Sequence, residues 1–209
     1  MFTDSSQVDD GAAGYAVVWK KGQAWVDIKT HMGYNQVAYD AECTALARAL
    51  ESSSRRNPTP EWVTTCTDAQ AVIRRMVSEE PSPCQQYALQ ARKHITTLRR
   101  ARPSIIIEIW WCPAHKGVAG NEKADEWAKI VAEEPDAHGV EGLNYPDRSE
   151  VRAVPLPRSL ANLKQEILEQ KWAEAHLWAG GRTSKAKYWM PKCQKLDSTI
   201  AGSTKRLAS

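Results

Sequence analysis

Residues 111–125 decide the fold, and they read WCPAHKGVAGNEKAD. Their first residue, Trp111, ends a nearly continuous apolar run at 104–111, which is typical of a buried strand. Pro113 and Gly117 then indicate a loop, and an amphipathic pattern from Asn121 indicates a helix. His115 therefore lies on the loop, ten positions before Asp125 at the start of the helix.

Three more acidic residues stand in local sequences that indicate where their carboxylates point. Asp4 ends a short apolar run, Glu42 lies in the first turn of a helical pattern, and Asp68 follows a strand-like run. Several carboxylates from different elements repel one another unless cations lie between them. Hard oxygen ligands suit Mg²⁺ or Mn²⁺, and two such ions can flank a phosphate for in-line hydrolysis. Together with Asp125, these residues predict a metal-dependent nuclease.

The remaining periodicity predicts the elements around these residues. Strands are expected at residues 2–5, 11–19, 23–30, 62–66 and 104–111. Helices are expected at residues 40–53, 68–78, 85–101 and 121–133. This order predicts an α/β fold with a mixed five-stranded sheet, whose first three strands are antiparallel and whose faces carry helices.

In order, spacing and flanking residues, the four acidic blocks resemble the type I ribonuclease H family. The resemblance is strongest to the ribonuclease H domain of fungal non-LTR retrotransposon reverse transcriptases. It covers residues 1–134 and implies a ribonuclease H-like fold and endonucleolytic hydrolysis of the RNA strand of RNA–DNA hybrids. Because only three residues precede Asp4, we expect a fragment of a longer polyprotein or a truncated gene model.

The resemblance also implies the role of each site residue. Asp4, Glu42 and Asp68 would hold two Mg²⁺ ions, with Mn²⁺ as the substitute, and Asp125 would complete the shell of the second ion. The ions would activate a water, orient the scissile phosphate and stabilise the leaving 3′ oxygen. His115 would shuttle a proton or aid product release. Products would carry a 5′ phosphate and a 3′ hydroxyl.

Enzymes of this family read 2′-hydroxyls and backbone shape across the minor groove with small polar side chains. The candidate substrate-binding residues here are Ser5, Asn35, Gln70 and Asn121. Gln70 matches the family position two residues after the third carboxylate. For Asn121 we expect mainly a helix cap that positions Asp125.

The C-terminal third differs from the rest in composition. Residues 1–150 carry 17 basic and 21 acidic side chains, whereas residues 151–209 carry 11 and 4. Four prolines and two glycines mark residues 135–157 as a linker. Ser159 should cap an amphipathic helix at 158–180, and residues 181–209 should form a basic, disordered tail. The tail suits a phosphate-rich partner, although a purely solubilising role is equally compatible with its charge.

Composition also excludes some classes of protein. The five cysteines form no CxxC pair, which favours reduced thiols and an intracellular protein, in the nucleus or the cytoplasm. No apolar run is long enough to span a bilayer, so a membrane partner is not expected. The expected partners are an RNA–DNA hybrid and the reverse transcriptase portion of a parent polyprotein.

Two alternatives to an active ribonuclease H stay open. One is a weak or inactive nucleic-acid-binding remnant of such a domain. The other is a nuclease acting on DNA, as in transposases or junction resolvases of related fold, and the helix after His115 argues against it.

Overall fold

The computed structural model describes residues 1–134, 142–143 and 154–180. Its main sheet contains β1 (Phe2–Gln7), β2 (Ala13–Lys21), β3 (Ala24–Gly33), β4 (Trp62–Thr67) and β5 (Ile106–Trp111). The strand order is β3-β2-β1-β4-β5. The first three strands are antiparallel, and β4 pairs in parallel with both β1 and β5. The mixed five-stranded sheet expected from the sequence is confirmed.

Four helices pack around this sheet: α1 (Ala38–Ser54), α2 (Gln70–Val77), α3 (Gln85–Ala101) and α4 (Ala119–Glu133). The bounds predicted for α3 are confirmed. The others differ by one or two residues, and α4 begins two residues before Asn121. The prediction that Asn121 caps α4 is therefore wrong, because Val118 occupies the N-cap position and Asn121 lies inside the first turn.

Both faces of the sheet are covered at its centre. Six consecutive residues of β2, Ala13–Val18, are buried. Successive side chains of a strand point to opposite faces, so a run of this kind requires packing on both sides. Here α1 packs on β1 and β2, and α4 packs on the first three strands. Gly14 lets α4 approach closely, since a Cβ at this position would lie 2.8 Å from the backbone nitrogen of Ala132.

The register of β1 places Asp4 at an opening in the sheet. β1 pairs with β2 along its whole length, but with β4 only through Phe2↔Cys66 and Thr3↔Thr67. Asp4 and Asp68 are thus the residues that follow the last parallel pair, where the two strands separate. Topology alone brings these two carboxylates to the same edge.

The chain after α4 returns to the domain. Two short strands, β6 (Gly142–Leu143) and β7 (Val154–Pro155), pair antiparallel, while residues 135–141 and 144–153 of the predicted linker lie outside the described residues. Leu156 is buried in the main hydrophobic core. The side-chain amides of Asn35 and Gln36 donate to the carbonyls of Leu156 and Pro157, at 2.9 and 2.7 Å. Residues 156–159 are therefore fastened to the domain, which the proline-rich pattern did not indicate.

Ser159 links this segment to a fifth helix, α5 (Leu160–Gly180). Its hydroxyl donates to the carboxylate of Asp40 and accepts a hydrogen bond from the backbone N–H of Asn162, at 3.0 Å. The predicted cap is confirmed. Residues 1–162 form one compact unit, and the second begins at Leu163. The apolar stripe of α5 includes Leu160, Leu163, Ile167, Leu168 and Trp172, all of which are exposed.

The predicted tail, residues 181–209, lies outside the described residues. In the described ranges, no helix combines the length and the apolar character needed to cross a membrane.

Replacing Leu156 with alanine should lower the free energy of unfolding by about 2–4 kcal/mol, because it removes buried methyl groups and leaves a cavity. Leu160→Ala is the matched control. Leu156 is 8% exposed and Leu160 is 51% exposed, so the control should change stability by less than about 1 kcal/mol. Urea unfolding of both variants measures the difference. Equal effects would contradict the packing of residues 156–159 described above.

Candidate metal and active site

Three carboxylates converge where β1 and β4 separate. Asp4 lies on β1, Asp68 directly follows β4, and Glu42 projects from the second turn of α1. One carboxylate oxygen from each lies within 4.8 Å of the others. Asp4 and Glu42 are buried. The structure thus brings together three of the four acidic residues that the sequence singled out.

Burial and mutual repulsion raise the proton affinity of this group. Burial, and then the charge of Asp68, raises the pKa of Asp4 to about 7, although the backbone N–H of Ser5 donates to its Oδ1 at 2.7 Å. The pKa of Glu42 is raised well above its ordinary value by burial and by the charges of Asp4 and Asp68. Burial also raises the pKa of Asp68. The three groups resist simultaneous ionisation, as expected for a site that a cation would stabilise.

The chemistry of the donor set fits a hard divalent cation. All three side chains offer carboxylate oxygens, whereas zinc sites usually contain histidine or cysteine. Magnesium and manganese prefer oxygen ligands and commonly bind through a few carboxylates while retaining water. Asp4, Glu42 and Asp68 are therefore the residues that could hold Mg²⁺ or Mn²⁺.

Neighbouring polar groups orient these carboxylates. The hydroxyl of Thr67 donates to Glu42 Oε2 at 3.4 Å, and Asn121 Nδ2 donates to Asp68 Oδ2 at 3.4 Å. Asn121 is buried, and its Oδ1 accepts from the thiol of Cys112 at 3.1 Å. Asn121 thus positions Asp68, rather than Asp125 as the sequence suggested. The sequence pattern did not identify Thr67, although this residue lies directly before Asp68.

Asp125 lies on α4 but outside the group of three. Its Oδ2 accepts a hydrogen bond from Lys129 Nζ at 2.6 Å, and this contact raises the pKa of Lys129. The charge of Asp125 still reaches the site, since it contributes to the raised pKa of Asp4 and of Asp68. Asp125 is therefore adjacent to the site and paired with a lysine one turn along its own helix.

His115 occupies an exposed loop between β5 and α4, as the sequence predicted. Its backbone has a φ of 50°, in the left-handed region. Two residues later, the N–H of Gly117 donates to Glu122 Oε1 at 2.8 Å and fastens the loop to α4. The charge of His115 acts to lower the pKa of Asp68, so the imidazole lies within electrostatic reach of that carboxylate.

The candidate substrate-binding residues have different surroundings. Ser5 adjoins Asp4, and its hydroxyl donates to the carbonyl of Ala38 at 2.9 Å. Gln70 is the first residue of α2, and its Oε1 accepts from Arg74 at 3.3 Å. Asn35 is instead bonded to the carbonyl of Leu156. Ser5 and Gln70 flank the carboxylates, and their substrate contacts stay predictions, as does that of Asn35.

The sequence of the domain that contains this carboxylate group matches a known family. A sequence model of RNase H matches residues 1–133. The chain belongs to the RNase H family. No curated protein matches the chain.

Several solved structures resemble this RNase H domain. RNase H1 from the halophilic archaeon Halobacterium salinarum NRC-1 is 19% identical, with a TM-score of 0.49 over 63% of this chain and 95% of its own. LC11-RNase H1, solved in complex with an RNA/DNA hybrid, is 21% identical, with a TM-score of 0.49 over 63% and 94%. The N-terminal RNase H domain of rv2228c from Mycobacterium tuberculosis is 21% identical, with a TM-score of 0.49 over 61% and 93%.

The Asp125–Lys129 pair predicts how this RNase H domain responds to a mutation. Under the magnesium-dependent activity proposed below, Lys129 would compete with Mg²⁺ for Asp125. Lys129→Met should then lower the Mg²⁺ concentration needed for half-maximal activity by about two- to fivefold, because an exposed ion pair is worth about 0.2–1 kcal/mol. Lys123→Met is the matched control, since Lys123 forms a similar pair with Glu126 at 2.8 Å on the same helix. A magnesium titration of cleavage rate tests this. Equal shifts in both variants would show that Asp125 does not contribute to the site.

Proposed function

We propose that the chain is a type I RNase H that cleaves the RNA strand of RNA–DNA hybrids endonucleolytically, with two Mg²⁺ ions. The observation that carries this proposal is the group of buried Asp4, buried Glu42 and half-buried Asp68, with oxygens within 4.8 Å, at the carboxyl end of β4. Membership of the RNase H family supports it. A buried acidic group with raised pKa values has little structural benefit by itself, which favours a functional reason for its presence.

Each carboxylate has a distinct position relative to the proposed substrate. Asp4 and Asp68 extend from the two separating strands, and Glu42 closes the site from α1. Bound Mg²⁺ would supply the positive charge that activates an attacking water and stabilises the leaving 3′ oxygen. Asp125 would join this arrangement by leaving its ion pair with Lys129 and contributing to metal binding. Thr67 and Asn121 would hold Glu42 and Asp68 in place throughout.

Recognition of the hybrid would depend on polar groups beside the carboxylates. Ser5 follows Asp4 directly, and Gln70 follows Asp68 by two residues. A strand whose phosphate lies at the carboxylates would pass both side chains, which offer hydrogen bonds of the kind that distinguish 2′-hydroxyls. Asn121 would act indirectly, by positioning Asp68. Asn35 would contribute only if its bond to Leu156 opened.

His115 would move a proton or assist product release from its exposed loop. His115→Ala should lower the turnover rate by about 10- to 100-fold, less than the loss of a carboxylate, since a proton shuttle assists chemistry that the rest of the site still performs. Steady-state cleavage measures the change. His94→Ala is the control, because His94 lies on α3 and contacts Ser54 rather than the site. Loss of metal binding in His115→Ala, measured by calorimetry, would contradict this role and make the histidine a ligand.

The remaining proposals concern the wider protein. We propose that this domain derives from a fungal non-LTR retrotransposon polyprotein, with its reverse transcriptase portion as a partner, acting in the nucleus or the cytoplasm. Residues 1–134 would form the catalytic domain, 135–157 a linker that folds back at Leu156, 158–180 an amphipathic helix and 181–209 a basic tail. Residues 151–209 carry 11 basic and 4 acidic side chains, and this positive balance supports a role of the C-terminal region, with its tail, in binding nucleic acid.

A second candidate function is a nucleic-acid-binding remnant with little or no activity. The ion pair of Asp125 with Lys129 favours it, because the fourth carboxylate is not free in this structure. A gel assay on labelled RNA–DNA hybrid, duplex RNA and duplex DNA, with Mg²⁺ or with chelator, separates the two. Magnesium-dependent cleavage of the hybrid alone supports the RNase H. Binding of the hybrid without cleavage would support the remnant, and cleavage of duplex DNA would contradict both.

A further inference from the structure

A second concave site lies beside the carboxylates and has different chemistry. It is a cavity of about 580 Å³ between the sheet and the first turn of α4. Four aromatic residues line it, namely Phe2, Trp19, Trp25 and Trp62. Two cationic side chains, Lys20 and Arg56, also line it, and none of its lining residues is acidic. We term this cavity the aromatic pocket.

The rings of the aromatic pocket are fixed in orientation. Trp25 packs edge to face against Phe2, with ring centroids 6.5 Å apart. The ring of Phe2 packs against Gly120, where a Cβ would approach it to 2.2 Å. The indole N–H of Trp62 donates to Glu108 Oε2 at 3.0 Å, yet 57% of the side chain is exposed. A tryptophan that is hydrogen-bonded at one edge and more than half exposed can provide a preorganised stacking surface.

The two cations are held at the rim by the same rings. Lys20 Nζ lies 5.2 Å from the ring centroid of Trp25, and the guanidinium carbon of Arg56 lies 5.4 Å from that of Trp19. Such cation–π contacts hold a positive charge in place without neutralising it. Aromatic faces next to fixed positive charges are the features with which proteins bind single-stranded nucleic acid, through base stacking and phosphate contacts.

The pocket is also placed where a nucleic acid strand at the carboxylates could reach it. Phe2 and Asp4 are two residues apart on β1, so they lie on the same side of the strand, about 7 Å apart. The segment Val118–Gly120 lines the pocket, and Asn121, which bonds to Asp68, follows it directly. A strand leaving the site along β1 towards its amino end would therefore enter the aromatic pocket.

We infer that the aromatic pocket binds an unpaired stretch of nucleic acid, with a base stacked on Trp62 and phosphates near Lys20 and Arg56. The chain would then hold a single strand adjoining the duplex, in addition to the duplex itself. Base stacking and backbone charge are common to RNA and DNA, so either kind of single strand fits this chemistry.

The test uses the full chain in the presence of a chelator, so that the binding measurement does not depend on cleavage. The probe is a fluorescein-labelled oligothymidine of about 12 nucleotides, within the range that single-strand-binding folds occupy, and the readout is anisotropy. Trp62→Ala should weaken binding by about 5- to 100-fold, and Trp62→Phe should restore most of it. Lys20→Ala should reduce the slope of log affinity against log salt by about 0.7.

Trp110→Ala is the matched control. Trp110 is 56% exposed and donates to the same Glu108 oxygen at 3.1 Å, but it does not line the pocket. This variant should bind the probe with an affinity within about twofold of that of the wild type.

Equal losses of affinity in the two alanine variants, or no binding by the wild type, would overturn the inference. Binding of a proline-rich peptide in place of the oligonucleotide would also overturn it, since aromatic grooves can bind such peptides. The proposed RNase H activity has a separate test, and it would be contradicted if the wild-type chain left the hybrid intact in the presence of Mg²⁺.

Discussion

Asp68→Asn should lower the rate of hybrid cleavage by at least about 10³-fold, the scale of losing one group that stabilises transition-state charge. The amide keeps the size of the side chain but removes a negative ligand from the group shared with Asp4 and Glu42. Hybrid binding should persist or tighten, because one negative charge fewer faces the phosphates. Single-turnover cleavage and anisotropy binding measure the two effects.

Asp9→Asn is the control for this substitution. Asp9 is an exposed aspartate between β1 and β2, so the same loss of charge there should leave both rate and affinity nearly unchanged. An Asp68→Asn variant with wild-type activity would reject the assignment of the site. A variant that neither binds nor cleaves would instead indicate a folding defect, which circular dichroism would reveal.

The second large effect is on stability. Without divalent metal, the folded protein should become less stable as the pH rises from about 4 to about 7. The pKa of Asp4 is raised from 3.8 to about 7 in the folded state, so the folded chain keeps a proton that the unfolded chain releases. The stabilisation from protonated Asp4 is fully present below the pKa of this group in the unfolded chain. It is lost as the pH rises through the pKa of the same group in the folded chain. The raised pKa values of Glu42 and Asp68 act in the same direction.

Each unit of pKa difference corresponds to about 1.4 kcal/mol. For a chain of this size, a loss of roughly 2–3 kcal/mol lowers the Tm by about 5–10 °C. We therefore expect the Tm in chelator to be lower by this amount at pH 8 than at pH 5. Mg²⁺ should restore the Tm mainly at pH 8, where the carboxylates are ionised.

Asp4→Asn separates this effect from other titrations. The variant lacks the titrating group and should be more stable than the wild type at pH 8 in chelator, with a weaker dependence on pH. Thermal unfolding at the two pH values, with and without Mg²⁺, gives the comparison. A wild type and a variant with the same dependence on pH would contradict the electrostatic account of the site.

The sheet and its helices could be predicted from local periodicity. Apolar runs, turn residues and helical stripes identify five strands and four helices, and their order restricts the topology. The convergence of Asp4 with Asp68 follows from that topology, since both come after the last parallel pair of β1 and β4. Glu42 was predictable for a similar reason, because its turn of α1 faces the sheet. The elements and their order along the chain are therefore enough to predict that these three carboxylates converge.

The interactions that sequence analysis missed are made by side chains distant in sequence. Asn121 bonds to Asp68, 53 positions away, and nothing in its local sequence distinguishes that contact from a helix cap. Leu156 enters the core from a proline-rich segment, which the side-chain amides of Asn35 and Gln36 hold by donating to the carbonyls of Leu156 and Pro157. Lys129 could have been noticed, since a lysine four residues after Asp125 on a helix is positioned to pair with it.

Incubation of the full chain and Mg²⁺ with an RNA–DNA hybrid labelled on either strand is the most direct test of the proposed activity. We predict that the RNA strand is cut internally into fragments with 5′ phosphates and 3′ hydroxyls. The DNA strand should stay intact, and chelator should stop the reaction. An uncut RNA strand in the presence of Mg²⁺, or equal cleavage of both strands, would contradict the proposal that Asp4, Glu42 and Asp68 form the active site of a ribonuclease H.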